Sequence, residues 1–239
     1  MDRFFIDFPC EVGRTVKMEG ENARHALRVL RLRPGEPLVL CDGRGGDYYC
    51  TLAGAEGGAA LCRVERFAPN GAEPRLRARL YQCLPKADKM DWIVQKAVEL
   101  GVSEVVPVLS ARCVSRPDAA ALEKKAARWQ KIAQEAAMQS GRGVIPRVGA
   151  ALPFSEALRQ AGGAAAFCYE GGGAPLRAWA APGLSELSLF IGPEGGFSPE
   201  EAEEARRAGA QAVTLGPRIL RTETAGLAAL AAVFALLGE

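Results

Sequence analysis

Only one histidine, His25, stands among the 239 residues, so sites that need several imidazoles are excluded. A zinc site of ordinary spacing needs several His and Cys ligands, and the seven cysteines are scattered without a C-x-x-C pair. His25 is also far in sequence from the glycine-bearing loops described below, which argues against a nucleophilic triad. We therefore expect that the protein holds no metal ion. The cysteines are expected to be small core residues in a reducing cytoplasm.

Long apolar runs are also missing. The longest, Ala225–Leu237, has 13 residues, whereas a membrane-spanning helix needs about 20, so we expect it to be a buried core helix. Met1–Phe5 lacks the basic region and apolar run of a secretory signal. These absences predict a cytoplasmic protein with no membrane partner.

The chain also lacks a strong net charge, because its 30 Lys and Arg residues are nearly balanced by 28 Asp and Glu residues. The charges are nevertheless unevenly distributed along the chain. Residues 73–150 carry 14 basic and 8 acidic side chains, whereas residues 151–239 carry 6 and 10. A basic middle beside an acidic end indicates a surface that faces a polyanion.

The pattern of short apolar runs changes along the chain. Residues 1–68 alternate β-like runs with turns, and a segment rich in Pro and Gly at residues 68–74 follows. Beyond it, strands alternate with helices, which is typical of βαβ units with parallel strands. The sequence thus predicts an α/β protein with two domains, residues 1–72 and 73–239.

A short helix is predicted within the first domain, with Asn22 as its N-cap. On this helix Arg24, Arg28 and Arg31 recur at helical spacing as a basic stripe. The stripe fits an ordinary solvated helix face, and it equally fits phosphate contacts to a nucleic acid. Both interpretations stay open at this point.

The first glycine-bearing loop, Gly192–Phe197, follows a predicted buried strand at Leu187–Ile191. Its three glycines allow close approach of a ligand or a positive φ. The segment Ser198–Glu201 then begins a helix with a capping box, and its glutamates disfavour phosphate. Because neither common phosphate-loop motif is present, two interpretations remain, a tight turn without a ligand and a site for a positively charged ligand that lacks phosphate.

The second loop, Leu215–Arg221, follows a predicted strand at Ala212–Leu215 and precedes the apolar helix Thr222–Leu237. Its glycine and aliphatic residues offer a slot for a flat aromatic ring. Arg221 and Glu223 place charge at the mouth of a buried helix, which is unfavourable unless the charges are paired or functional. Loops at the carboxyl ends of strands are where open α/β sheets bind their ligands.

Both loops resemble the C-terminal motifs of the SPOUT superfamily of S-adenosylmethionine-dependent RNA methyltransferases, with no departure in either. Within it the chain is similar to the ribosomal RNA small subunit methyltransferase E family, and the similarity covers essentially the whole chain. The upstream stretches that carry it, in family order, are Arg3–Phe5, His25–Arg31, Lys89–Val102 and Arg128–Ala133.

The resemblance implies a PUA-like β-barrel at residues 1–72 and a SPOUT α/β domain at residues 73–239, with a trefoil knot within about 187–239. Knots are so rare that no pattern in the sequence would predict one. The resemblance also implies a homodimer that methylates N3 of a specific uridine in small-subunit (16S) ribosomal RNA, as free RNA or as part of the assembled subunit.

Carried over residue by residue, the resemblance predicts an S-adenosylmethionine site on both loops. Its residues are Gly192, Pro193, Gly195, Gly196, Leu215, Gly216, Ile219, Leu220, Arg221, Thr222 and Ala225. Arg221 is the candidate for stabilising the developing uracil anion or for holding a phosphate. Glu223 is a candidate general base, and Glu194 is a further one. The predicted RNA contacts are Arg3, Arg24, Arg28, Arg31 and Lys89.

Three other functions remain open on the sequence. One is a SPOUT enzyme that acts on a different RNA or on a ribose 2′-hydroxyl. Another is a non-catalytic assembly factor that binds ribosomal RNA through the N-terminal domain. The third, an α/β hydrolase-like enzyme, is disfavoured because the chain lacks a nucleophile elbow and a nearby histidine.

Overall fold

The computed structural model describes residues 1–239, which divide into two compact units. The first unit comprises Met1–Glu73 and Ala137–Ile145, and the second comprises Pro74–Ala136 and Pro146–Glu239. The first unit is built on an antiparallel sheet and the second on a parallel sheet with helices. The mixed α/β class predicted from the sequence is therefore confirmed.

The first unit contains five strands, one short helix and a π-helical turn at His25–Val29. In chain order the elements are β1 (Asp2–Phe5), β2 (Thr15–Met18), α1 (Gly20–Arg24), β3 (Pro37–Cys41), β4 (Gly46–Glu56) and β5 (Ala59–Pro69). The sheet order is β1-β3-β4-β5-β2, and only β1 and β3 run parallel. Phe4, Met18, Leu38 and Leu40 belong to the core on one side of this sheet.

The prediction of Asn22 as a helix N-cap is wrong. The helix begins at Gly20, and Glu19 is its N-cap residue. Asn22 lies inside the helix, where its Nδ2 donates a hydrogen bond to the backbone carbonyl of Phe5 at 2.7 Å. The side chain therefore ties α1 to the end of β1 instead of capping the helix.

The segment Ala137–Ile145 is grouped with the first unit, although the sequence interpretation assigns it to the second. Asn70 donates to the carbonyl of Gly141 at 3.0 Å. Glu73 accepts hydrogen bonds from the Arg142 guanidinium at 2.8 Å and from the backbone N–H of Gly143 at 3.0 Å. These polar contacts attach the segment to the residues that precede the second unit, and no short sequence pattern signals them.

The second unit contains eight strands and six helices, including α3, whose last turn belongs to the first unit. In chain order they are β6 (Arg77–Cys83), α2 (Lys89–Glu99), β7 (Glu104–Leu109), α3 (Ala119–Ser140), β8 (Arg147–Val148), β9 (Leu152–Pro153), α4 (Phe154–Gln160), β10 (Ala164–Cys168), β11 (Ala174–Pro175), α5 (Leu176–Trp179), β12 (Glu186–Ile191), α6 (Pro199–Arg207), β13 (Gln211–Thr214) and α7 (Thr222–Leu237).

All strand pairs of this sheet are parallel. Its order is β11-β13-β10-β12-β6-β7-β8, and β9 also pairs with β7. Because parallel strands end at the same edge, the loops after β6, β10, β12 and β13 come together at one side of the sheet. The order also places β10 between β12 and β13, the two strands that precede the glycine-bearing loops.

Stacked aromatic rings hold the first glycine-bearing loop to the core of the second unit. Phe190 in β12 stacks on Tyr81 in β6 with ring centroids 4.4 Å apart. Phe197, at the end of the loop, is 1% exposed and packs 5.1 Å from Phe154 and 6.0 Å from Phe167. The loop is thus fixed at both ends by buried side chains.

The apolar helix α7 has the predicted bounds, but only one of its faces is buried. Ala229, Leu230 and Val233 face the core, whereas Leu236 is 50% exposed. The prediction of a buried core helix is therefore confirmed for one face of α7 and wrong for the other. An apolar helix with an exposed face is typical of a surface that another molecule covers.

Candidate active site

The two glycine-bearing loops border one cavity of about 700 Å³ in the second unit. Residues 192–196 form one wall and residues 214–221 form the other. A cavity of this size holds a ligand as large as a typical cofactor. All eleven residues predicted to bind the cofactor line it.

The first wall is shaped by a tight turn in the loop after β12. Gly196 has a φ of +63°, and its N–H donates to the carbonyl of Pro193 at 2.9 Å. The carbonyl of Gly195 accepts a hydrogen bond from Arg112 at 2.8 Å. After the turn, Ser198 and Glu201 form the predicted capping box of α6, which is confirmed. The backbone of this wall is therefore held by hydrogen bonds on both sides of the turn.

The second wall leaves open space beside its backbone. Gly216 has a φ of +112°, and a Cβ added there would meet no protein atom within 4 Å. The Thr214 hydroxyl makes 3.2 Å hydrogen bonds to the N–H and the carbonyl of Gly216 and holds this turn. Ile219 is 88% exposed. This wall thus offers both accessible backbone and apolar side chains to a ligand.

Buried hydrogen bonds join the first loop, β6 and the start of α7. The Thr222 hydroxyl donates to the carbonyl of Gly192 at 2.6 Å and accepts from Gln82 Nε2 at 2.9 Å. Gln82 is fully buried and Thr222 is 5% exposed. We call these three residues the Thr222 tie. It fixes the distance between the first loop and the helix that follows the second.

A lysine lies between two carboxylates beside the cavity. Lys89 Nζ, in the first turn of α2, is 3.0 Å from Glu194 Oε1 and 3.1 Å from Glu223 Oε2. We call these residues the Lys89 cluster. Its three charges sum to −1 when all are ionised. Glu194 and Lys89 line the cavity directly, whereas Glu223 reaches the cluster from α7.

Each member of the Lys89 cluster has a shifted pKa. Burial alone would raise the pKa of Glu194, but hydrogen bonds from Lys89 and from the Lys86 backbone N–H outweigh it and lower that pKa. Burial also opposes ionisation of Glu223, yet its backbone N–H and Lys89 lower its pKa. The hydrogen bond to Glu194 and the adjacent carboxylate of Glu223 raise the pKa of Lys89. The cluster therefore holds two carboxylates and one ammonium at neutral pH.

Arg221 occupies the N-cap position of α7 and lines the cavity. Its carbonyl accepts hydrogen bonds from the N–H groups of Thr224 and Ala225 at 2.9 and 2.8 Å. Its side chain is exposed, and no ion pair or hydrogen bond holds the guanidinium. The cation is therefore available to a ligand or substrate in the cavity.

The arginines predicted to contact RNA have different environments in the first unit. Arg3 is partly buried in an ion pair with Asp47, at 2.9 Å between Nη2 and Oδ2, and its side chain is 12% exposed. Arg24, Arg28 and Arg31 are exposed. Between them the backbone is π-helical, and Arg31 has a φ of +56°. The three arginines therefore do not share one regular α-helix, although all three are exposed as predicted for a basic face.

His25 and the cysteines lie outside the cavity walls, apart from Cys168, which lines it. His25 packs edge-on against Phe4 with ring centroids 6.1 Å apart. All seven cysteines are free, and burial raises the pKa of Cys168 to about 12. No group of three His, Cys, Asp or Glu side chains is arranged to hold a metal ion. None of the helices combines the length and the hydropathy needed to span a bilayer.

The sequence did not reveal several residues that line the cavity or support it from behind. Tyr169 and Glu170 line the cavity from the end of β10, within a stretch whose variable composition gave no motif. Gln82 was missed because a buried polar residue in a strand looks like any other strand residue until its partner is known. Lys89 was predicted as an RNA contact, and its place between two carboxylates depends on contacts more than a hundred residues apart.

Two family models match this chain. The RNA methyltransferase domain matches residues 72–234, and the RNA methyltransferase PUA domain matches residues 19–65. The first match covers more than half of the chain, so it shows the family to which the second unit belongs. The second match agrees with a PUA-like N-terminal domain.

Relatives named ribosomal RNA small subunit methyltransferase E align with almost the full chain. The Bacillus subtilis (strain 168) protein is 34% identical over 98% of this chain and 96% of its own length. The Mycobacterium bovis protein is 35% identical over 96% of this chain and 90% of its own length.

A solved structure of the same kind is also similar. The ribosomal RNA small subunit methyltransferase E of Neisseria gonorrhoeae, bound to S-adenosyl methionine, superposes with a TM-score of 0.91. It is 37% identical, over 99% of this chain and 98% of that one. The matched domains, the full-length relatives and the shared architecture agree, and the chain belongs to the ribosomal RNA small subunit methyltransferase E family of RNA methyltransferases.

Proposed function

We propose that this protein transfers the methyl group of S-adenosylmethionine to N3 of a specific uridine in small-subunit ribosomal RNA. The observation that carries the proposal is the cavity between the loops after β12 and β13, in a chain that belongs to this family. The loops supply backbone and apolar contacts, and the Lys89 cluster and Arg221 supply charges beside them. We also propose that the enzyme is cytoplasmic, because its proposed substrate is part of the ribosome.

The residues around the cavity suit S-adenosylmethionine. The open space at Gly216 leaves room for a bulky group against the backbone. Leu215, Ile219 and Leu220 provide apolar contacts for the adenine ring. Glu170 and Glu194 bring carboxylates to the wall, which favours a ligand with positive charge on its sulfonium and amino groups. We propose that the eleven predicted residues bind this cofactor.

When bound, S-adenosylmethionine supplies an electrophilic methyl group, which moves from sulfur to uracil N3 while the N3 proton is lost. The protein must align the base and stabilise the charge that develops on the uracil ring. Arg221 is our candidate for that second role, because it lines the cavity and its guanidinium makes no hydrogen bond or ion pair. Uracil N3 is normally base-paired, so the enzyme also has to take the base from an unpaired or opened segment of RNA.

Glu223 is our first candidate for the group that accepts the N3 proton, and Glu194 is the second. Glu223 Oε2 is 3.1 Å from Lys89 but accepts no well-directed hydrogen bond, so it keeps a free lone pair. Glu194 Oε1 already accepts from Lys86 and Lys89. Both carboxylates are ionised at neutral pH, as a proton acceptor must be.

We propose that residues 1–72 are the RNA-binding domain and residues 73–239 the methyltransferase domain. Arg24, Arg28 and Arg31 are exposed cations suited to phosphate contacts. The ion pair of Arg3 with Asp47 is instead suited to holding β1 in place. For Lys89 we propose a role within the cavity, because both neighbouring carboxylates belong to the second unit.

We also propose a trefoil knot within about residues 187–239 and a homodimer. Support for the knot comes from the Thr222 tie, since the chain leaves β13 and returns across β10 to meet Gly192 and Gln82. Support for the dimer comes from the exposed apolar face of α7, where Leu236 is 50% exposed.

Two measurements test the proposed function. Mass-spectrometric mapping of rRNA nucleosides from cells with and without the gene should show one methylated uridine that disappears. With purified protein, Arg221→Ala should abolish methyl transfer while the thermal unfolding midpoint is unchanged, and the matched Arg177→Ala variant on the exposed side of α5 should remain active. Identical nucleoside maps from the two kinds of cell would contradict the proposed function. Normal turnover by Arg221→Ala would contradict the proposed role of Arg221.

A further inference from the structure

The segment after β10 lies midway between the two walls of the cavity. In the sheet, β10 pairs with β12 on one side and with β13 on the other. The first wall follows β12 and the second follows β13. A ligand that contacts both walls must therefore pass over the carboxyl end of β10, where Tyr169 and Glu170 line the cavity.

Glu170 is held close to both loops through its backbone and neighbours. The N–H of Tyr169 donates to the carbonyl of Val213 in β13 at 3.2 Å. On the other side, a Cβ added to Gly196 would lie 2.1 Å from Glu170 Oε1, so the carboxylate rests against the backbone of the first loop. Gly196 must lack a side chain for the carboxylate to occupy this position.

The carboxylate of Glu170 has no partner within the protein. No ion pair or hydrogen bond engages it, in contrast to Glu194, which Lys89 and Lys86 hold. An ionised carboxylate only accepts hydrogen bonds, with two oxygens side by side. The group it would bind must therefore present donors to the central part of the cavity.

We propose that Glu170 binds the two ribose hydroxyls of S-adenosylmethionine. This inference rests on the proposed function. The adenine and the amino acid form the two ends of that ligand, and the ribose with the adjacent sulfonium forms its middle, where β10 ends. Of these central groups only the ribose carries hydrogen-bond donors, and two neighbouring hydroxyls match two carboxylate oxygens. Dinucleotide-binding proteins recognise a ribose with an acidic side chain in the same chemical way.

Three ligands distinguish the part of the molecule that Glu170 contacts. S-adenosylmethionine has a ribose, a sulfonium and an amino acid, S-adenosylhomocysteine lacks the sulfonium charge, and 5′-methylthioadenosine keeps only the adenine and ribose with a neutral thioether. Calorimetric titration of each into the full-length protein gives three dissociation constants. Glu170→Ala should weaken all three by a similar factor, about tenfold to a hundredfold, as expected for a lost hydrogen bond to a charged group.

Further variants complete the test. Glu170→Gln should fall between the wild type and Glu170→Ala, because its amide oxygen still accepts one hydrogen bond. Glu123→Ala, on the exposed surface of α3, is the matched control and should bind all three ligands normally. Because Glu170 is exposed and unpaired, its variants should unfold at the wild-type temperature.

Different results overturn different claims. If only S-adenosylmethionine is weakened, Glu170 acts on the sulfonium, and if both amino-acid-containing ligands are weakened, it binds the ammonium group. Either result overturns the ribose assignment, as does an unchanged affinity for all three. If the wild-type protein itself fails to bind S-adenosylmethionine, the proposed function fails, and the inference fails with it.

Discussion

Replacing Thr222 with valine tests whether the Thr222 tie sets the geometry of the cavity. Valine has nearly the same shape but lacks the hydroxyl that donates to Gly192 at 2.6 Å and accepts from Gln82 at 2.9 Å. Gln82 Nε2 keeps its bond to the Cys83 carbonyl, whereas the buried carbonyl of Gly192 loses the hydroxyl. Two lost hydrogen bonds, one of which leaves a buried acceptor unpaired, destabilise by about 2–4 kcal/mol.

For a chain of this length, that loss corresponds to a fall in the unfolding midpoint of about 4–16 °C. Scanning calorimetry measures the midpoint, and titration with S-adenosylmethionine measures the effect on the cavity, where affinity should also fall. Thr222→Ser keeps the hydroxyl and should lose much less. Thr15→Val is the control, since Thr15 is exposed on β2 in the first unit and does not line the cavity. Equal midpoints for Thr222→Val and the wild type would refute the tie, as would equal midpoints for the valine and serine variants.

Three further changes address other parts of the molecule. Lys89→Met removes the cation that lowers the pKa of the two neighbouring carboxylates. The acid limb of the pH profile of kcat/KM should therefore move to higher pH. An acid limb that stays in place would contradict a role of these carboxylates as proton acceptors. Ala87 has a φ of +53°. Because glycine adopts this conformation without strain, Ala87→Gly should raise the free energy of unfolding, measured with urea, by about 0.5–1 kcal/mol. A lower free energy of unfolding would show that Ala87 is not strained. Arg3→Met leaves the buried carboxylate of Asp47 without its cation and should destabilise the protein by about 3–5 kcal/mol at pH 7. Burial alone would raise the pKa of Asp47, but Arg3 lowers it. The ion pair therefore stabilises the fold above the unfolded pKa of Asp47, and this stabilisation is lost as the pH falls through the folded pKa. The loss of stability on acidification should be smaller in Arg3→Met than in the wild type.

Elements with a strong local pattern were predicted well. The helix α7 has its predicted bounds, because a long apolar run that ends at a glycine is typical of a helix and its C-terminus. The start of α6 was also predicted, since Ser198, Pro199 and Glu201 form a cap whose partners lie within one turn. In both cases the contacts that decide the structure lie close together in the sequence.

The errors and omissions concern long-range contacts. Asn22 has the composition of an N-cap, yet its hydrogen bond to Phe5 in β1 decides its position. The π turn at His25–Val29 likewise has no distinct composition. Within the site, Glu170 is placed at the cavity by the strand order, because β10 lies between the strands that precede the two loops. A motif search finds loops that carry glycine patterns, and it does not find single side chains that the sheet brings between them.

Two charged groups of the site lie on packed helices, whereas the cavity walls, which include Glu194 and Arg221, are formed by loops. Lys89 and Glu223 lie in the first turns of α2 and α7, and these two helices pack against each other. The walls, in contrast, are fixed by the Thr222 tie and by the aromatic core around Phe197. A change in the packing of α2 on α7 therefore alters the distance from the lysine to its carboxylates while the walls keep their positions. From the proposed function we therefore expect cofactor affinity to depend mainly on the tie and the walls, and the rate of methyl transfer to depend mainly on how the two helices align Lys89 and Glu223 beside Arg221.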